Sequence, residues 1–240
     1  MGWAYREWEG IFYPPGTNRK DHLSYYSEHF PTVEVNSTFY GELKERTAMA
    51  WHKATPEGFL FSVKAPAFIT HQARLRVSDE SRRVLSGFLD GLNPIAEKQG
   101  PILFQLSGTL EYPGQNAFEA FLALLLGDRR FAFEFRHPSW FNEKTLRIIE
   151  KYKAALALSA SPSGPFPLEI TSDFVYLRIR GDMDWEKRAE GEERIASFAS
   201  WVREFLKANP IDMYIYWDNA PISLAPYSAL LFLKLLQDLS

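Results

Sequence analysis

Seven short runs rich in Phe, Val, Ile, Tyr and Leu recur along the chain, at 32–40, 59–66, 101–107, 131–138, 154–160, 174–181 and 212–220. Each ends in polar or turn residues, as a strand does where it passes into a loop. Stretches of helical periodicity lie near 21–30, 44–54, 79–98, 116–127, 142–153, 192–208 and 226–239. In the third, Leu85, Phe88, Leu89, Leu92 and Ile95 recur at three- and four-residue spacing and give one apolar face, with a kink expected at Pro94. The interval 161–173 carries Pro162, Gly164, Pro165 and Pro167, so a loop is expected there. Strands alternating with helices predict a parallel sheet.

The strand interiors decide between an open sheet and a closed one. In 131–136, Phe131, Phe133 and Phe135 alternate with Ala132, Glu134 and Arg136; in 175–180, Val175, Leu177 and Ile179 alternate with Tyr176, Arg178 and Arg180. Val33 and Val35 flank Glu34, and Phe61 and Val63 flank Ser62. An open parallel sheet covered by helices on both faces would be apolar at both parities. An apolar outer face and a polar inner face instead predict a TIM-barrel-like α/β fold, formed as one domain over 1–240. Closure calls for an eighth strand, expected first. The chain opens directly on "MGWAYREWEGIFYPPG", so that strand is expected to be shortened or missing.

Six of these segments carry a family resemblance. "GWAYREWEGIFYPPG", "FPTVEVNSTFY", "FSVKAPAFITH", "GPILFQLS", "RFAFEFRHPSWF" and "FVYLRIRG" follow one another in the order and spacing of the YecE-like proteins, domain-of-unknown-function family 72. The resemblance implies a TIM-barrel-like fold and no established activity. Fold alone does not warrant function. Three positions depart from the family's habit: Gln105-Leu106-Ser107-Gly108 stands for Gln-Leu-Pro-Pro, Arg178-Ile179-Arg180-Gly181 for Arg-Leu-His-Gly, and Asp218-Asn219 for Asn-Asn. A mechanism that needs a histidine at 180 is not available to this chain.

Composition narrows the chemistry. The formal charge of −3 argues against a broadly basic nucleic-acid or membrane surface, so any anion site must be local. The absence of cysteine excludes disulfides, thiolate nucleophiles, iron–sulfur clusters and cysteine zinc sites. It fits the expectation of a soluble cytoplasmic protein, as does the lack of a leader or a membrane-length apolar run. No phosphate-binding glycine loop, dinucleotide fingerprint or nucleophile elbow occurs, and no motif assigns a cofactor, a metal or an oligomeric state.

In a TIM barrel the catalytic groups gather at the C-terminal ends of the strands. Glu34, Asn36, Lys64, Gln105, Glu134, Arg136, His137, Arg178, Arg180, Asp218 and Asn219 all fall there, joined by His71 and Trp140 from adjoining loops. The plain alternative is a set of internal ion pairs that satisfy buried charge. The breadth of the ring favours an enzyme acting on an anionic substrate, a phosphate ester or nucleic-acid-derived compound. Glu34 or Glu134 would be the acid/base, Lys64 and Arg136 would stabilise developing negative charge, and Arg178 and Arg180 would bind the anion. Asn36, Gln105 and Asn219 would orient polar groups, with His71, His137, Trp140 and Asp218 completing the substrate site.

Two other readings stay open. One is a non-catalytic nucleic-acid- or sugar-binding module. The other is a glycoside hydrolase using Glu34 and Glu134, with Trp3, Tyr5, Trp8, Trp140 and Trp185 stacking on sugar rings. The charged stretch 181–193 and the aromatic stretch 6–20 are candidate covers for the mouth.

Overall fold

A computed structural model describes residues 1–125, 127–160, 169–179, 188–218 and 224–237. Seven strands form one sheet in sequence order, every neighbouring pair parallel. They are β1 Thr32–Val35, β2 Leu60–Lys64, β3 Gln99–Gln105, β4 Phe131–Glu134, β5 Ala155–Ala160, β6 Phe174–Ile179 and β7 Asp212–Trp217. The helices are α1 His22–His29, α2 Ser37–Tyr40, α3 Glu45–Lys53, α4 Asp79–Gly91, α5 Gln115–Leu122, α6 Glu143–Lys151, α7 Arg188–Ala208 and α8 Ala225–Gln237. This is the TIM-barrel-like arrangement that the alternation predicts.

Element ends differ from the sequence reading for local reasons. The run 32–40 is strand only to Val35, because "STFY" turns into the short helix α2, and Thr38 donates its hydroxyl proton to the Lys64 carbonyl at 2.7 Å. The run 131–138 is strand only to Glu134, which leaves Arg136 and His137 on the loop beyond it. The helix expected over 79–98 stops at Gly91, and a tighter turn over Asn93–Lys98 carries Pro94, whose ring and missing N–H cannot continue an α-helix. Its start is secured by Ser78, whose Oγ accepts from the Ser81 N–H at 3.1 Å. Part of the loop expected over 161–173 and most of the candidate cover over 181–193 lie outside the described residues.

The two parities separate as the alternation requires. Val33, Val35, Phe61, Val63, Phe104, Phe131, Phe133 and Phe135 join the outer core against the helices, and Val175, Leu177 and Ile179 join its continuation under α7 and α8. Aromatic stacking fills this layer: Phe104 lies on Phe133 at 5.1 Å, and Phe135 on Trp140 at 4.6 Å. Each such ring fully buried contributes about 2–3 kcal/mol. Inside the barrel, Ala132, Ala155 and Ala157 leave room for Phe174, Tyr176, Tyr214 and Tyr216. Small residues on one wall and large ones on the other pack this layer of the interior.

The end opposite the strand C-termini is closed by Arg130. Its guanidinium donates to Asp212 at 2.6 Å, Asp173 at 3.0 Å and the Tyr214 hydroxyl at 3.1 Å, and lies 5.3 Å from the Phe174 ring centre.

Among the described residues no ladder joins β7 to β1, and two residues bridge the seam between them. Met1 N donates to the Trp217 carbonyl at 2.6 Å and Gly2 N–H to the Glu34 carbonyl at 2.9 Å. A side-chain bond between Thr32 Oγ1 and Tyr216 OH at 2.9 Å crosses the same gap. Gly2 has φ +73°, and a Cβ there would meet the Tyr5 ring at 3.2 Å. The position needs glycine for both reasons. Gly2→Ala is expected to lower stability by about 1–2 kcal/mol, measured as a lower denaturant midpoint at unchanged slope.

Candidate active site at the C-terminal mouth of the barrel

Four strand ends bring their inward side chains together. Glu34 comes from β1, Lys64 from β2, Gln105 from β3 and Glu134 from β4, with Arg178 reaching across from β6. Glu34 is fully buried and Glu134 is 2% exposed, so neither carboxylate has water to solvate it. Arg178 supplies the compensation. Its Nε and Nη2 grip the two oxygens of Glu34 at 3.0 and 3.1 Å, and its Nη1 holds Glu134 Oε2 at 2.8 Å. A planar guanidinium fork suits this two-carboxylate geometry, whereas a lysine would make one point contact.

A chain of directional bonds extends from the clamp. The Tyr176 hydroxyl donates to Glu34 Oε2 at 2.8 Å, and Ser62 lies 3.1 Å behind it. Gln105 turns its Nε2 to Glu134 at 2.8 Å and accepts from Lys64 Nζ at 2.8 Å. That amide orientation is forced, because the carboxylate can only accept and the ammonium can only donate. Arg136 Nε donates to the other oxygen of Glu134 at 3.1 Å, while 45% of the Arg136 side-chain surface stays exposed at the rim.

The charges shift one another. Burial pushes the Glu134 carboxyl up, but Arg178, the Gln105 hydrogen bond and Arg136 together hold it below the ordinary carboxylate range. Burial disfavours the charged Arg178, yet Glu34 and Glu134 outweigh it and raise its pKa. Burial, then Arg178, with a smaller push from Arg136, pull the Lys64 ammonium down to about 8, against the opposing pull of Glu34 and Glu134. Burial, Lys64 and Arg136 also lower the pKa of His71.

The sequence-derived site residues therefore divide. Glu34, Lys64, Gln105, Glu134 and Arg178 form one bonded cluster, with Arg136 at its rim. His71 sits beside it, its ring 5.1 Å from Phe39, whose own ring lies 3.9 Å below Lys64 Nζ. The His71 loop includes a π-helical turn over Phe68–Gln72, followed by two left-handed residues, Arg74 and Leu75. Leu75 is buried, and Arg74 donates to the Thr109 carbonyl at 2.7 Å, which pins that strained turn. Asn36 is half-buried at the start of α2, and Asp218 follows β7, its charge felt at Met1 and Tyr5.

Other positions are turned elsewhere. The Trp140 ring is 1% exposed, stacked in the outer core, with its indole N–H given to the Leu110 carbonyl at 2.7 Å. It has no face left for a ligand at the mouth. His137 accepts from the Ser139 N–H at 3.3 Å and starts the next turn. Trp8 is 2% exposed and offers no stacking surface to a sugar, while Trp3 is half-buried and packs edge-on against Trp51 at 5.5 Å. Arg180, Asn219 and Trp185 lie outside the described residues. Among the described residues no group of three or more acidic or histidine side chains is placed to hold a metal. Tyr176, Ser62 and Phe39 complete the cluster and escaped the sequence reading. Tyr176 and Ser62 share the inner parity with Arg178 and Lys64, and that parity was the available signal.

The two carboxylates are held together: Glu34 has no exposure, and the Arg178 guanidinium bonds both it and Glu134. Arg178 gives both ends of its fork to that pairing. Arg178→Met leaves two carboxylates buried without their partner and is expected to cost about 3–5 kcal/mol, read from denaturant unfolding. Glu134 also ties stability to pH. With its folded pKa depressed, its contribution is present above the ordinary carboxylate value of about 4.3 and is lost as pH falls through that value towards the folded one. The acid limb of stability should be shallower in Glu134→Gln than in the wild type.

Comparisons with known proteins agree with this architecture. The family described as "Protein of unknown function DUF72" matches residues 1–239. The UPF0759 protein YecE of Escherichia coli K12 is 35% identical over 119 residues, 50% of this chain and 43% of its own length. The UPF0759 protein YunF of Bacillus subtilis is 34% identical over 146 residues, 58% of this chain and 52% of its own length. The chain thus spans about half the length of the curated relatives it matches. A crystal structure of a DUF72 family protein from Thermotoga maritima superposes with a TM-score of 0.79 at 25% identity, covering 98% of this chain and 96% of the other. One from Enterococcus faecalis gives 0.75 at 22% identity, covering 97% and 93%, a likeness of fold. No helix among the described residues is long and apolar enough to cross a membrane. The seven-stranded barrel and the match along nearly the whole sequence lead to one conclusion: this chain belongs to the DUF72 family.

Proposed function

We propose that the protein is an enzyme acting on an anionic substrate at the C-terminal mouth, with Lys64 as the reacting group and Arg136 as the anion receptor. The supporting observation is how Lys64 is held. Among the described residues its ammonium forms no ion pair and makes one hydrogen bond, to Gln105. The other nearly buried lysine, Lys98, spends all its donors, on the His52 carbonyl at 2.8 Å, the Thr55 carbonyl at 2.8 Å and Thr55 Oγ1 at 3.2 Å. Lys98 is a structural tie. Lys64 has two N–H groups unspent at the end of a barrel strand, where catalytic groups gather.

Arg136 complements it. Its Nε is given to Glu134, while both terminal nitrogens remain for a carboxylate or phosphate. Glu34, Glu134 and Arg178 then act as a fixed scaffold that excludes water beneath the site and sets the field felt by Lys64. Two carboxylates face three cations in this cluster, so the local charge favours an anion although the chain is acidic overall.

Titration with inorganic phosphate, followed by calorimetry, tests the reading. Saturable binding is expected, weakened about tenfold or more in Arg136→Met and weakened again as ionic strength rises. Affinity should also fall as pH climbs past about 8, where Lys64 gives up its proton. Phosphate binding unchanged by Arg136→Met, or independent of pH across that range, would overturn it.

A further inference from the structure

We infer that Lys64 is a nucleophile that forms an imine with a carbonyl substrate carrying a carboxylate or phosphate group. The inference rests on the proposed anion-binding mouth and adds the bond that is made there.

The geometry distinguishes a nucleophilic amine from a charge-pairing one. A lysine meant to stay cationic is met by carboxylates or by a full set of carbonyls, as Lys98 is. Lys64 is 9% exposed, yet the two nearby carboxylates are occupied by Arg178 and Arg136. What remains for it is a neutral amide oxygen and the face of Phe39 at 3.9 Å. Both tolerate an uncharged amine. Burial beside two guanidinium groups favours that form further, which activates a lysine towards carbonyls. A substrate carbonyl would be brought to Nζ by its anionic group on the outer nitrogens of Arg136, linked to Lys64 through Gln105 and Glu134.

The chemistry balances without any co-reactant. The nitrogen lone pair attacks the carbonyl carbon, the carbon–oxygen π electrons move to oxygen, and oxygen takes a proton. Nitrogen gives up one proton to leave the neutral carbinolamine; the oxygen then takes a second proton and departs as water while nitrogen gives up its other proton, so amine and carbonyl yield imine and water. His71 is suited to carry these protons. Its Nδ1 lies 2.9 Å from Thr70 Oγ1, and burial, then the charges of Lys64 and Arg136, lowers its pKa.

Reductive trapping with cyanoborohydride tests the inference, using pyruvate and dihydroxyacetone phosphate as probes and acetone as the uncharged control. At neutral pH the expected result is an adduct on Lys64, mapped by peptide mass spectrometry. It should form at least tenfold faster than on exposed lysines such as Lys44 and Lys144, and with the anionic probes rather than acetone. The better of the two anionic probes identifies the group that Arg136 receives. Lys64→Arg should lose the adduct, and its phosphate affinity should no longer fall as pH climbs past about 8. Adducts confined to exposed lysines, with phosphate still bound at the mouth, would overturn the imine and leave the anion site standing. Adducts confined to exposed lysines with no phosphate binding would overturn both. Trapping at Lys64 equally fast with acetone would overturn the role of the anionic group.

Discussion

One guanidinium holds the upper half of this barrel together. Glu34 and Glu134 lie on strands separated by two others, and each would be prohibitively costly to bury alone. Arg178 spans the interior and satisfies both, bidentate to one and singly bonded to the other. Everything else near the mouth follows from that commitment. Tyr176 stays protonated because burial and the Glu34 charge disfavour its anion, so it remains a donor to Glu34. Gln105 can turn only one way. Lys64, arriving last in the sequence of bonds, is left with an amide and an aromatic face.

That ordering explains how an acidic chain comes to have a locally cationic mouth. The carboxylates are held at depth by the arginine most suited to pair with them, while Lys64 stays nearly as buried and Arg136 reaches the rim. Buried charge of this kind is weak as a source of net stability, since desolvation offsets most of the attraction. Its return is geometric: side chains locked in place beneath a site hold it more accurately than loops can.

Much of the architecture was legible in the sequence because period-two alternation is a direct imprint of which face a side chain meets. Phe131, Phe133 and Phe135 read as outward, Ala132 and Glu134 as inward, and so they stand. What alternation cannot encode is partner choice. Arg178 on β6 could have faced an incoming anion or a carboxylate across the barrel; only three-dimensional closure brings Glu34 within its reach. Trp140 was misleading for a related reason. An aromatic residue just past a strand end can face the mouth or the helices, and the rotation of the turn at Pro138 sends it outward onto Phe135. The turn over Ser37–Tyr40 was hidden because Thr, Phe and Tyr favour strands, and tertiary bonding of Thr38 to Lys64 outweighed that preference.

Arg130, with its two aspartates and the rings of Phe174 and Tyr214, gives the barrel a floor as well as a base for its strands. Above it the tyrosine hydroxyls link side chains up the interior, Tyr216 to Thr32, and Ser62 through Tyr176 to Glu34 at the mouth. Linked hydroxyls of this kind turn together, because reversing one exchanges the donor and acceptor roles of its neighbour, so the interior settles its proton arrangement as one unit.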